Sequence, residues 1–482
     1  MKNCSPRFYR YIKQAKDNNL VVYLVTRYLT YFIQFLTSLL LANKLGPTNY
    51  GIWGFMVLLM SYFSIANFGL GNAMNVLLVQ NRDDEYKQNE YIKNDMFLVS
   101  VLGCVIVLIM LVYWSSGMSW FSRYTLSYEF FVICIIAILS QFNSNFINIW
   151  RVKNDFYRIA FNQSVLPLLY FFCTILFDDR NLLLALLYTS LIGNLLSIIV
   201  FTYNKPFAFT GRISREKCTH ILSKGWWLFI YNLFFYLILV STRTLISKFY
   251  SVEDFGRFTF SFTMGDAVLL LFQSAANIVF PKVLAKLGKG ENNKCKTIKM
   301  IDNTYVTVVY FAVLVVCCLF PVILLLFPEY KTCAACMSII AITMAVYTNV
   351  YAYTSYLITN NKERLLVLIS FICLTTNVIT AVVFIKVIYL PYTFIILSTL
   401  VSYYLFYVLC ALAVQKDSRE KLKVFNWRLH LPALLAVILS VFGLTNFLFL
   451  ALLIFIVVNW RSYKGLITLV STIWKDYRII NV

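Results

Sequence analysis

The chain is poor in the residues that most enzyme active sites need. It has 2 histidines and 21 acidic residues among 482, against 42 lysines and arginines. His220 and His430 lie in or next to segments predicted to be cytosolic loops, which argues against histidine-based acyl transfer within a membrane. The 12 cysteines have no histidine at metal-ligand spacing, and even Cys333 and Cys336 are interpreted as packing. The sequence therefore predicts no metal, no cofactor and no catalytic residues.

Long hydrophobic runs dominate the chain instead, since 60% of the residues are hydrophobic. About 20 apolar residues in a helix cross a bilayer, and roughly 14 such runs follow one another. The fold predicted is all-α and polytopic. The predicted spans are Val21–Asn43, Ile52–Val79, Met96–Tyr113, Phe130–Trp150, Ile159–Phe177, Leu182–Tyr203, Trp226–Ser247, Phe258–Lys282, Tyr305–Phe327, Met337–Ile358, Leu365–Ile385, Pro391–Val414, Leu431–Val441 and Phe447–Trp460. The last two could instead form one bent span.

Basic residues are distributed unevenly between the two sides of this pattern. Of the 42, 33 fall on the side that holds both termini, 7 on the opposite side and 2 inside spans. Because cytosolic loops are enriched in lysine and arginine, both termini are predicted to be cytoplasmic. Anionic lipid headgroups account for the net charge of +21, so the expected partners are membrane lipids and no nucleic acid.

A weak internal repeat divides the chain. With a shift of 205 residues, the segment from Tyr50 to Phe55 matches the segment from Phe255 to Phe260 in its glycine and aromatic positions. Such repeats predict two pseudo-symmetric six-helix bundles that enclose a cavity open to either side in turn. The predicted regions are an N-terminal bundle (1–203), a cytosolic linker (204–224), a C-terminal bundle (225–414), and a final helix pair with an amphipathic cytosolic tail (415–482).

Polar residues inside spans are costly unless satisfied, so they are the candidate functional residues. Arg27 and Arg243 come first, because a buried guanidinium needs an anion nearby. The remaining candidates for a substrate lumen are Gln34, Asn72, Gln141, Asn145, Asn232, Tyr236, Gln273 and Asn277. The alternative for the amides is that they bond across helices and hold the bundle together.

Three further residues in the spans each have two possible roles. Asp266 is a candidate for ion coupling, or else it pairs with Arg243 or Arg257 as a brace. Gly69 and Gly71 could form a hinge in the second span, although close helix packing explains them equally well.

The chemistry of these residues indicates the class of cargo. Arginine binds phosphate through two parallel hydrogen bonds, while amides, tyrosines and aromatic rings suit sugars. A cavity for lipophilic cations should offer several carboxylates, and here only Asp266 is clearly available. We therefore expect an anionic, glycosidic cargo.

Several motifs resemble those of a known family. The stretch Leu45–Trp53 and the following Phe68–Ala73 resemble the opening helices of Wzx-type bacterial polysaccharide flippases, in the multidrug/oligosaccharidyl-lipid/polysaccharide exporter superfamily. The likeness continues at Gly225-Trp226-Trp227, at Leu245–Phe258 and at Thr359–Arg364, and it covers the whole chain in layout. Two positions depart from the family pattern, because Asn67 and Thr242 stand where acidic residues are common. Both departures bear on which ion, if any, drives transport.

The resemblance implies a transporter and not an enzyme. Such proteins flip undecaprenyl-diphosphate-linked oligosaccharides across the bacterial inner membrane by alternating access, alongside polysaccharide polymerase machinery. The products are surface polysaccharides such as O-antigen in lipopolysaccharide. A multidrug or cation antiporter of the same superfamily is one alternative, and a lipid II or teichoic-acid exporter another. A membrane glycosyltransferase or polymerase is the enzymatic alternative, but it usually needs a large outer loop or an acidic motif, and the outer connections here are short.

Overall fold

The chain folds into α-helices joined by short turns. The computed structural model describes residues 6–81, 84–118, 120–203, 205, 207–209, 211–267, 294–418 and 426–460, and no strand occurs within them. The helices are α1 (Pro6–Ile65), α2 (Leu70–Gln80), α3 (Glu85–Ser115), α4 (Glu129–Val152), α5 (Phe156–Leu176), α6 (Asp179–Thr202), α7 (Arg215–Phe249), α8 (252–267), α9 (Lys294–Ile323), α10 (Ala334–Asn349), α11 (Tyr351–Thr359), α12 (Glu363–Lys386), α13 (Tyr392–Ser418), α14 (Trp427–Val441) and α15 (Leu448–Val458). Ten described helical segments are long and apolar enough to cross a membrane, which confirms the polytopic all-α prediction.

The chain divides into two compact units, which are Met1–Leu233 and Phe234–Val482. The division falls inside α7, so this helix begins in the first unit and ends in the second. The predicted tail from Arg461 to Arg478 and the second half of the eighth predicted span lie outside the described residues.

In the first unit, α1 packs on α5, while α4 packs on α2, α3 and α6. Thr30 of α1 and Ser164 of α5 share a buried hydrogen bond of 2.8 Å between their hydroxyl oxygens. The backbone of α1 breaks at Gly46, where φ is +64°, and Pro47 follows. Glycine adopts this φ without the steric cost of a Cβ, so the Gly46-Pro47 step separates the first two predicted spans.

The described part of the predicted linker lies against the start of α3, and we call residues 205, 207–209 and 211–214 the strap. Its backbone at Ala208 and Ser214 donates to the side chains of Asn89 and Asn94, at 3.2 and 2.9 Å. The carbonyl oxygens of Gly211 and Arg212 accept from Lys93 and Asn94, at 2.7 and 3.2 Å. Directly after the strap, α7 forms an ion pair between Lys217 and Glu90. The strap is therefore held to one helix by side-chain to backbone bonds.

In the second unit, α10 is almost completely buried between α9, α13 and α14. The last two predicted spans are separate helices, α14 and α15, joined by a turn with φ of +73° at Gly443. His430, expected in or next to a loop, instead lies inside α14 with 1% of its surface exposed. Its Nδ1 hydrogen-bonds the Tyr310 hydroxyl at 2.8 Å, and the rings of Tyr404 and Tyr407 pack around it. This histidine thus fixes the final helix pair to the bundle.

The internal repeat is visible in the packing of each unit. Phe55 stacks on Tyr124 with ring centroids 3.9 Å apart and also contacts Phe121 at 5.6 Å. In the second unit, Phe260 packs on Tyr330 at 4.3 Å and on Phe327 at 5.9 Å. The partner residues have the same spacing of three and lie 206 residues apart, close to the sequence shift of 205. The two units therefore repeat an aromatic core contact as well as a sequence motif.

Candidate functional site

Two sequence motifs of the first unit meet at the break between α1 and α2. Residues 66–69 interrupt the helix, with left-handed backbone at Phe68 (φ +49°) and Gly69 (φ +75°). Gly225 of α7 packs directly on this break, because a Cβ built on it would lie 2.6 Å from the Gly69 carbonyl oxygen. The rings of Phe68 and Phe229 lie 5.5 Å apart beside it. Only glycine at position 225 permits this backbone approach.

An amide-rich contact between α2 and α4 follows in the same unit. Gly71 lies against Asn145 and Asn148, since a Cβ at Gly71 would be 2.6 Å from Asn148 Nδ2 and 3.6 Å from Asn145 Oδ1. Asn75 donates to Asn148 Oδ1 at 3.1 Å, and Asn72 is half-buried on the same helix. Gly71 therefore makes a close helix contact, and Gly69 supplies the left-handed turn that starts α2.

Gln141 has a specific partner at the α1–α2 break. Its Nε2 donates to the Phe63 carbonyl oxygen at 2.5 Å, and the side chain is buried. Because α1 ends at Ile65, the carbonyl groups of its last turn need partners from outside the helix. Gln141 thus forms a hydrogen bond between two helices. The sequence had left this structural role open for the amides, as the alternative to a role in the substrate lumen.

Arg27 is half-buried on α1 and is oriented by its own helix. Its Nε donates to the Tyr31 hydroxyl at 2.7 Å, and its guanidinium carbon lies 4.8 Å from the centroid of the Tyr31 ring. Gln34, one turn further along, is exposed. The three residues lie along one stripe of the helix, as their spacing predicts.

In the second unit, the candidate Arg243 is buried, with 8% of its surface exposed. Its guanidinium carbon lies 4.7 Å from the centroid of the Phe262 ring. The positive charge of Arg243 also interacts with the Asp266 carboxyl group of α8. Arg257, the other partner considered for Asp266, forms an ion pair with Glu253 at 2.7 Å. The structure thus brings Arg243 and Asp266 into one electrostatic environment.

A tyrosine of another helix lies near Asp266. Tyr347 of α10 interacts electrostatically with both Asp266 and Tyr236, and its ring stacks on Phe235 at 4.9 Å. Tyr236 is half-buried, whereas Asn232 one turn earlier is exposed. Gln273 and Asn277, the remaining candidates, lie outside the described residues. Tyr347 was not predicted, because α10 is apolar on all sides and gives its polar positions no periodicity.

A neutral hydrogen-bond network lies next to Arg243. Asn377 is fully buried, and its Nδ2 donates to the Ile238 carbonyl oxygen at 2.7 Å and to the Thr242 hydroxyl at 3.0 Å. The hydroxyl oxygens of Thr242 and Thr399 are 2.7 Å apart. Three helices, α7, α12 and α13, are therefore joined at the position where the resemblance led us to expect a carboxylate.

Comparisons with known proteins place these features in context. A family model described as polysaccharide biosynthesis protein matches residues 18–287. No curated protein gives a significant match. A solved structure of the lipid II flippase MurJ in an inward closed conformation is 14% identical, covers 93% of this chain and 100% of its own, and has a TM-score of 0.68. An inward-facing multidrug resistance MATE family transporter of the MOP superfamily is also 14% identical, covers 83% and 99%, and has a TM-score of 0.61. At this identity the structural likeness establishes the fold alone.

Proposed function

Because the chain belongs to the polysaccharide biosynthesis protein family, we propose that it flips a lipid-linked oligosaccharide across a bacterial inner membrane. The proposed cargo is an undecaprenyl-diphosphate-linked repeat unit for surface polysaccharide, moved by alternating access with both termini in the cytoplasm. The observation that carries the proposal is the family match, which spans more than half of the chain. The fold shared with a protein named as a lipid II flippase supports it.

Arg27 and Arg243 are proposed to bind the diphosphate of the cargo. A guanidinium within a span is costly, and an anionic cargo offsets that cost while it is bound. Arg243 is held by the Phe262 ring and has one carboxyl group, Asp266, in its electrostatic environment. Arg27 is oriented by Tyr31. A guanidinium group whose orientation is fixed suits the oxygens of a phosphate.

The other candidates are proposed to contact the glycan, while the polyprenyl chain stays in lipid. Exposed Gln34 and Asn232 and half-buried Asn72 and Tyr236 have the amide and hydroxyl groups that sugar hydroxyls need. A second candidate function is cation or drug antiport, because multidrug MATE transporters share the fold. The candidate sites contain two arginines and one carboxyl group, so an anion remains the favoured cargo.

The test is flipping of a fluorescent undecaprenyl-diphosphate oligosaccharide in proteoliposomes. Arg243→Ala should lower the rate about 10- to 100-fold, since a hydrogen bond to a charged group contributes about 1.5–3 kcal/mol. Arg257→Ala is the matched control, because it removes the same charge from an ion pair that is partly exposed to solvent.

Equal rates in the two variants would contradict the role of Arg243. If the wild-type protein moves a cationic dye and leaves the lipid-linked oligosaccharide in place, the antiport alternative replaces the proposal.

A further inference from the structure

The strap crosses one end of an exposed apolar stripe on α3. Lys93 of α3 donates to the Gly211 carbonyl oxygen of the strap at 2.7 Å. From Lys93 onward, the same face of the helix presents the exposed side chains Phe97, Val101, Val105 and Leu108. Polar side chains within spans turn towards the protein interior, so an exposed stripe that is wholly apolar faces the acyl chains of lipids. The strap therefore lies at the end of a lipid-facing surface.

The strap also lies at the level where the apolar part of α3 begins. Its bonds to α3 extend from Asn89 to Asn94, which is about 8 Å along the helix axis, and the predicted span begins directly afterwards, at Met96. Phe209 and Ile213 of the strap are 41% and 52% exposed. Exposed aromatic and apolar side chains at this level suit the boundary between lipid headgroups and acyl chains.

Three cations of the strap and the start of α7 form no ion pair with the described residues, namely Lys205, Arg212 and Arg215. The Nζ atom of Lys205 lies 3.9 Å from the centroid of the Phe209 ring. Arg212 and Arg215 are exposed. The contact of Arg212 with α3 uses its backbone carbonyl, which leaves the guanidinium available to a ligand.

Acidic residues near the strap do not balance these cations. Glu90 pairs with Lys217, and Asp84 pairs with Lys87. Asp95 has 0% of its surface exposed, so its carboxyl group is not part of this surface. From position 205 to position 224 the sequence has five basic residues and one acidic residue, a net charge of +4. The surface around the strap is therefore complementary to an anion.

We propose that the strap binds the headgroup of an anionic phospholipid, whose acyl chains lie along the apolar stripe of α3. Arginine and lysine form charge-assisted hydrogen bonds with phosphate oxygens, and basic residues beside a membrane attract anionic headgroups. A soluble phosphate compound would match the cations but not the stripe, whereas a phospholipid matches both. The inference is independent of the cargo that the protein transports.

Lipid binding can be measured on the full-length protein, delipidated in detergent, by titration with phosphatidylglycerol or phosphatidylcholine and native mass spectrometry. Wild type should prefer phosphatidylglycerol. The double variant Lys205→Gln/Arg212→Gln should bind it about 25-fold more weakly, because each basic residue near a headgroup contributes about fivefold. The matched control is Arg364→Gln/Lys416→Gln, which removes two exposed cations from the same predicted side of the membrane and should change the affinity less than about twofold.

Equal affinities in the double variant and the control, or no preference of wild type for phosphatidylglycerol, would overturn the site. If the double variant does not fold, Arg212→Gln alone replaces it, since the backbone bond of Arg212 to Asn94 does not need the guanidinium. This single variant should weaken binding about fivefold, and an unchanged affinity would count against the site.

Two competitors distinguish the sources of the phosphate group. Sodium phosphate should displace phosphatidylglycerol no better than NaCl of equal ionic strength, and stronger displacement would indicate a site for free phosphate that does not need the stripe. Undecaprenyl phosphate should compete no better than phosphatidylglycerol. If it binds more tightly, and does so only when Lys205 and Arg212 are present, the site belongs to the cargo and the proposal fails. A protein that does not flip the oligosaccharide contradicts the proposed function and leaves these binding results unchanged.

Discussion

The contact between Gly225 and Gly69 gives the sharpest prediction about stability. In Gly225→Ala, the new Cβ would lie 2.6 Å from the Gly69 carbonyl oxygen and 3.2 Å from the carbonyl carbon. A backbone oxygen cannot rotate away, and Gly69 already occupies a left-handed φ of +75°. The strain must therefore be relieved by moving α7 away from the break between α1 and α2.

The expected magnitude follows from a matched glycine. In Gly103→Ala, the new Cβ would lie 3.5 Å from Ile138, an ordinary contact. Alanine is more favourable than glycine inside a helix by about 1 kcal/mol, so this control should be neutral or slightly stabilising. Gly225→Ala has the same helical gain but adds overpacking, which costs typically about 1–3 kcal/mol. The free energies of unfolding of the two variants should differ by that amount.

Unfolding of both variants in the same detergent by heat or denaturant measures the difference. Gly225→Ala should unfold first, and it should also slow flipping if α7 moves against the break during transport. A Gly225→Ala variant that is as stable as Gly103→Ala would refute the close approach of the two backbones.

Two further predictions concern buried polar contacts of the second unit. Asn377→Leu should lower the free energy of unfolding by about 1–3 kcal/mol, because it removes the two hydrogen bonds that the Asn377 amide donates to the Ile238 carbonyl and the Thr242 hydroxyl in an apolar core. Unchanged unfolding in detergent would show that the network adds no stability. Tyr310→Phe should cost about 1–2 kcal/mol by removing the hydroxyl that His430 contacts, while the ring packing remains. In a double-mutant cycle with His430→Phe, the two losses should not be additive, and additive losses would argue against the pair.

The fold could be predicted because few backbone structures can cross a bilayer. Every backbone polar group must be satisfied within the membrane, so long apolar runs indicate helices almost without ambiguity. The final pair was ambiguous because its two runs are short, and the turn at Gly443 settles it as two helices. The break at residues 66–69 was harder to place, since an apolar run shows no sign of an interrupted backbone beyond its glycines.

The candidate sites could be predicted only in part. Arg27 and Arg243 are conspicuous in apolar segments, but the partner of Gln141 depends on a backbone break that composition does not reveal. The burial of Asp95 was missed because this residue directly precedes an apolar run and was assigned to a loop, whereas α3 begins ten residues earlier, at Glu85. Asn377 meets its partners through helices more than 130 residues apart in sequence. Such contacts depend on packing, which periodicity does not encode.

The repeat conserves packing and not charge, and this limits how the two arginines can act. With the shift of 205 residues, Arg27 corresponds to Asn232, and Arg243 corresponds to Ser38. Each copy of the repeated helix therefore has an arginine at a position where the other copy has a neutral residue. Along an α-helix, the eleven residues between positions 27 and 38 correspond to about 16 Å, so the two arginines occupy non-equivalent levels of the repeated helix.

Replacing either member of a symmetric pair would be expected to lower the flipping rate equally, whereas replacing non-equivalent arginines should lower it by different amounts. Arg27→Ala and Arg243→Ala must therefore be measured singly before both are assigned to one diphosphate.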